Sequence, residues 1–143
     1  MSRSELDALQ QTLAAEHAAI FVLAALGGRA STLPPSPLRS AIDTAYEGHL
    51  ERRDQLRTML AADGAAPVAA EPAYRLPTPL TDAEQIAAAA LRVERACATT
   101  YAALVAATAD AERRWAIDAL VSTAVGEVAF GGRPQPLPGL GGA

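Results

Sequence analysis

Glu16, His49, Arg52, Arg53 and Glu94 are the residues of this chain whose types and spacing could do chemistry together. His49 stands in the stretch YEGHLERRDQL, Tyr46 to Leu56, where the helical period calls for an apolar residue, and two arginines follow one turn later. Two carboxylates and an imidazole can hold one divalent cation, since carboxylate oxygen and neutral ring nitrogen are both donors to such ions. The arginines pull the other way. A guanidinium beside Glu16 and Glu94 competes for the same carboxylates and favours a salt-bridged, hydrogen-bonded network. A buried polar cluster of Glu16, His49, Arg52 or Arg53 and Glu94 is therefore expected, with no catalytic residue, cofactor or metal. The alternatives are one metal ion on Glu16, His49 and Glu94, an organic ligand at the same layer, or a catalytic role for His49.

The elements that must position these residues are helices. Half of the 143 residues are apolar but only 4% are aromatic, because the apolar share is largely alanine, which favours helix. Four segments with apolar helical periodicity follow one another, at about 4–27, 36–63, 81–108 and 110–130, ahead of an irregular Pro/Gly tail over 131–143. Gly27-Gly28 is expected to end the first helix, Ser36-Pro37 to open the second, and Thr81 to Glu84 to form a capping box for the third. At about 100° per residue, Glu16, His49 and Glu94 fall on the apolar arcs of helices one, two and three, each near its midpoint. They should meet in one layer. On helix four the apolar arc reads Ile117, Leu120, Val121, Ala124 and Val128, with Glu127 off its centre.

Connection lengths set the topology. The first and last connections are short, which makes two antiparallel hairpins. The middle one, Ala65 to Leu80, holds four prolines and is long enough, at roughly 50 Å when extended, to traverse the whole bundle. The expected fold is all-α: a single domain over 1–143, built as a four-helix bundle with one long crossover between helices two and three, the ferritin-like topology.

Composition excludes several classes. A net charge of −4 and scattered arginines argue against nucleic-acid binding. The first residues, MSRSELDALQQTL, lack the apolar core of a signal peptide, and the run AAIFVLAAL is too short to cross a bilayer, so a cytoplasmic protein without membrane contact is expected. Cys97 is the single cysteine and reads as an inert core thiol. Tyr46 and Tyr101 are expected in the core with hydroxyls reaching the polar layer, and Trp115 under the crossover near Tyr74.

The stretches AAEHAAIF and ALGGR, HLERRDQL, EPAYRLP and PLPGL, in that order, resemble an actinobacterial family of ferritin-like domains of unassigned function. The resemblance implies the four-helix fold and a link to di-iron carboxylate proteins, with no known activity. A di-iron site in this fold takes a carboxylate from each of two helices and Glu-x-x-His from the other two. Here Tyr46 stands three residues before His49, Cys97 three after Glu94, and helix four offers no ligand at that height. Half the ligand set is missing, so iron or manganese is expected only under the alternative reading. The second halves of helices one and four are apolar nearly all round; a homodimer or the tail's Leu137, Pro138 and Leu140 should cover them.

Overall fold

The computed structural model describes residues 1–141, so Gly142 and Ala143 of the tail lie outside the described residues. Ser2 opens α1 (Arg3–Ala30) with a capping box: its hydroxyl accepts the Glu5 N–H and the Glu5 carboxylate accepts the Ser2 N–H. The helix runs on through Gly27 and Gly28, which were expected to stop it. Leu26 and Ala30 are buried in the end of the core, and the hydroxyls of Ser31 and Thr32 take the carbonyls of Gly28 and Arg29, so the last turn is held by packing and capped beyond the glycines. Pro37 begins α2 (Pro37–Ala62), which stops before Gly64 at φ +76. Asp82, rather than Thr81, caps α3 (Ala83–Ala107), accepting from the Gln85 N–H while the Gln85 side chain accepts the Thr81 N–H. A two-residue turn leads to α4 (Asp110–Ala129).

The four helices form a bundle of two antiparallel hairpins. At one end Leu26 of α1, Ile42 of α2, Ile86 of α3 and Phe130 after α4 pack together; at the other, Leu13, Leu56, Leu104 and Ala116 do. Helices α2 and α3 therefore both start at the end where α1 and α4 finish. The crossover makes this arrangement possible by running the length of α1. Gln10 binds it through both amide atoms, to Ala66 O and from Val68 N–H, His17 meets Val68 O at 3.0 Å, Tyr74 packs on Phe21, and Leu76 and Leu80 enter the end cluster. The crossover thus covers much of the second apolar face of α1. By length and composition α1 is apolar enough to cross a membrane, more than its short apolar run suggests. Here it packs between α2 and α3.

Helix α4 is turned relative to expectation. Its buried face is Ala116, Ala119, Thr123 and Glu127, while Ile117, Val121, Val125 and Val128 are exposed. The reason is space: α3 presents Cys97, Ala98, Tyr101 and Ala102, and only small side chains on α4 allow close approach to it. Trp115 is likewise not under the crossover. It stands edge-on to Tyr101, with ring centroids 6.1 Å apart, and donates its Nε1–H to Gln55 Oε1 at 2.6 Å. The tail lies against α3, where Gly139 meets Ala98 too closely for any Cβ, and its Leu137 and Leu140 stay exposed.

Since Gly28 sits inside a helix with nothing within 4 Å of where its Cβ would be, Gly28→Ala is expected to stabilise the fold by roughly 0.5–1 kcal/mol in urea denaturation. A loss of stability would mean that the helix ends at Gly27 after all.

Candidate functional site

Between the two apolar ends lies a polar layer. Glu16 is fully buried, and so is His49; Glu94 is 2% exposed. They come from α1, α2 and α3, and the neighbouring apolar side chains are small, Ala19, Ala119 and Cys97, which leaves room for them.

His49 occupies the centre. Its Nδ1 meets Glu16 Oε2 at 2.5 Å and its Nε2 meets Glu94 Oε1 at 3.1 Å. The other Glu16 oxygen accepts the Tyr101 hydroxyl, and that same hydroxyl accepts the Arg52 Nε–H at 2.8 Å. Arg52 lies 3.7 Å from Glu16, its guanidinium carbon 5.7 Å from the centre of the Tyr101 ring, and it reaches Ser122 on α4 at 3.3 Å. Two carboxylates thus face two cations. An ionised carboxylate accepts and cannot donate, so a ring bonded to two of them must donate from both nitrogens.

Burial by itself would lower the imidazole pKa, but the hydrogen bonds to Glu16 and Glu94, reinforced by their charges, raise it to about 9. His49 is an imidazolium at neutral pH. Burial, with the charges of Glu16 and Glu94 added, also holds the Cys97 thiol well above its ordinary range, so it is neutral and a poor nucleophile.

A divalent cation held here would have to displace protons and hydrogen bonds that these residues already keep. Ligand atoms of Glu16, His49 and Cys97 lie within 4.8 Å of one another, yet a metal ligand must be deprotonated. Both ring nitrogens of His49 are engaged by carboxylates, the thiol keeps its proton, and both Glu16 oxygens are taken.

Of the two arginines considered for this layer, Arg52 joins it and Arg53 does not. Arg53 turns outward to Asp54 at 2.9 Å. At one helical turn from His49 the two stand on opposite flanks, and Arg52 is the one facing Tyr101 and α4. Tyr46 packs in the apolar end cluster instead of reaching the layer. Glu127, set aside as off-face, is 4% exposed and lies 3.8 Å from Arg95; burial raises its pKa, opposed by Arg95 and aided by Glu94. Ser122 and Gly126 of α4 carried no signal of their own in the sequence, being small residues among many. Gly126 nevertheless abuts the Glu94 carboxylate, with the Cδ 3.1 Å from where a Cβ would be.

The fold and this layer define a four-helix bundle with an ionic, hydrogen-bonded centre. Residues 8–142 match the family described as a domain of unknown function, DUF4439, and the chain belongs to that family. Among solved structures it is similar to a conserved hypothetical protein, rv2844, from Mycobacterium tuberculosis, at 31% identity and TM-score 0.79, over 89% of this chain and 87% of that one. No curated protein matches.

A folded-state pKa near 9 against the ordinary 6.5 means that the native state holds the His49 proton more tightly than the unfolded chain does. The resulting stability is fully present below pH 6.5 and is lost as pH rises through about 9, at roughly 1.4 kcal/mol per pH unit within that window. Denaturant titrations should show this slope for the native chain and a flatter one for His49→Ala. A parallel pair of curves would place the ring outside the ionic layer.

Proposed function

We propose that the protein is a non-catalytic ferritin-like bundle in which a buried charge network stands where a metal centre would be, and which acts through protein contacts. The observation that carries this reading is His49: a cation already bridges carboxylates from two other helices through both ring nitrogens. The layer is neutral as built, two carboxylates against an imidazolium and a guanidinium, and a further cation would find no free charge to offset its own. Among the described residues, no nucleophile with its base and no phosphate-binding loop accompanies the layer.

The contact surface follows from the turn of α4. Ile117, Val121, Val125 and Val128 form one exposed apolar face, and Leu137 of the tail is 64% exposed. Val121, Val125 and Val128 line an apolar groove continued by Pro134 and Pro138 of the tail. Contiguous exposed apolar faces are a usual mark of interaction sites. We assign it to a second copy of the chain, packed α4 on α4 across a two-fold axis. The C-terminal half of α1, expected to share this interface, carries the crossover on Phe21 through Tyr74, so the proposed contact centres on α4.

The metal reading is kept as the alternative because the Glu16, His49 and Cys97 ligand atoms do converge. Elemental analysis of protein purified without chelator should find iron and manganese far below stoichiometry in both the native chain and His49→Ala. Near-stoichiometric metal that disappears in the variant would overturn the charge-network reading. For the interface, gel filtration with light scattering is expected to give a dimer, and Val121→Glu with Val125→Glu a folded monomer. A native chain that is monomeric at micromolar concentration would remove the dimer from the proposal.

A further inference from the structure

Helices α2 and α4 are neighbours in the bundle but touch little, while α1 packs closely on α2 and α3, and α3 on α4. Between α2 and α4 lies an open cleft of about 490 Å³, within the size range of small-molecule sites. Its walls are Ala41 and Ala45 on one side and Val125 and Ala129 on the other, with Glu94 and Arg52 among the groups lining its depth.

Glu94 and Arg52 leave hydrogen-bonding capacity unused here. Glu94 is 2% exposed, and its one hydrogen bond among the described residues is made to Oε1 by His49. Its Oε2 has no donor among the described residues and is not cut off from solvent. That oxygen lies against Gly126 in the cleft wall, 3.2 Å from where a Cβ would be, so the absence of a side chain at 126 keeps space open over it. A glycine inside a helix is destabilising by roughly 0.5–1 kcal/mol relative to alanine, and the room it gives to Glu94 is the visible return. Arg52, for its part, donates from Nε to Tyr101 and from one terminal nitrogen to Ser122, which leaves the other terminal nitrogen without an acceptor among the described residues. In place of water, one atom can take a donor and the other an acceptor.

The charge of an occupant follows from the layer beneath. An ammonium on Glu94 would stand beside the His49 imidazolium, which already binds the same carboxylate; a carboxylate on Arg52 would stand beside Glu94. Each adds a like charge to a layer whose charges already cancel, in a site only partly wetted. A neutral group that donates and accepts meets both requirements without that penalty.

We propose that the α2–α4 cleft binds an uncharged amphipathic small molecule with a primary carboxamide or an equivalent donor–acceptor end. The polar end meets Glu94 Oε2 and Arg52, and the aliphatic body lies along Ala41, Ala45, Val125 and Ala129. This rests on the reading of the layer as metal-free, so metal content is measured on the same sample: a stoichiometric metal would defeat that reading, whereas a metal-free protein that fails the binding test would defeat the cleft proposal alone. The probes are octanamide, octylammonium and octanoate, titrated at neutral pH into isotope-labelled protein. Octanamide is expected to shift the Gly48 and Gly126 amide resonances saturably, with both ions binding about tenfold more weakly or worse. Ala129→Leu, at an exposed wall position away from Glu94, should keep the folded spectrum and weaken octanamide by about tenfold; Ala45→Leu on the facing wall gives an independent check. The proposal is overturned by the absence of a saturable Gly126 shift, by either ion binding as tightly as the amide, or by unchanged affinity in a folded wall variant.

Discussion

Two ionised carboxylates cannot sit in the centre of a helical bundle unless something cancels their charge there. Glu16 and Glu94 are both essentially shut off from solvent, and an isolated charge so placed would be driven to protonate or to unfold the chain around it. The rest of the layer follows from this constraint. His49 gives each carboxylate an N–H, the Tyr101 hydroxyl and the Arg52 guanidinium complete the Glu16 side, and the cluster becomes neutral. Such a cluster is not stabilising merely because it is ionic, since desolvation offsets much of the attraction. Its effect is registration: three helices from distant parts of the chain must present these groups at one height for any of them to be tolerated.

The apolar packing is arranged around that layer. Leucines fill one end and a mixture of Leu, Ile, Ala and Phe the other, whereas the centre has Ala19, Cys97 and Ala119. Small residues in the middle make sense because the volume there belongs to Tyr101, His49 and the carboxylates. The same demand for space sets the turn of α4, which approaches α3 through Ala116, Ala119 and Thr123 and leaves its valines outside. Gly126 takes this furthest, giving up helix propensity where the Glu94 carboxylate lies against the α4 backbone.

Much of this was legible beforehand, for identifiable reasons. Helix number and the crossover are written in capping residues, prolines and connection lengths, signals that act locally and survive tertiary packing. The meeting of Glu16, His49 and Glu94 was legible because each interrupts an apolar arc, and a polar residue in such a place has few alternatives to another polar residue on a facing helix. The face of α4 was not. Apolar residues surround it so evenly that periodicity gives no preference, and the assumption that bulky valines go inside fails when the facing helix already carries Tyr101. The end of α1 was misjudged because glycine permits a helix to stop without requiring it, and the burial of Leu26 and Ala30 lies outside local sequence. Arg52 and Arg53 are equivalent by spacing; which of them turns inward depends on Tyr101 and Ser122, contributed by α3 and α4.

A further consequence comes from what α4 does not contribute. A di-metal centre in a four-helix bundle draws ligands from all four helices and so ties each of them to the middle. Here the cations that neutralise the carboxylates both come from α2, and the α4 share of the layer is a single hydroxyl, Ser122, at 3.3 Å from Arg52. Helix α4 is therefore fastened mainly to α3, and it meets α2 only lightly, through Ser122 on Arg52 and Trp115 on Gln55. The open seam and the exposed valines go together: the charge at the centre is balanced by groups from three helices, and the fourth packs on α3 and leaves its other faces exposed.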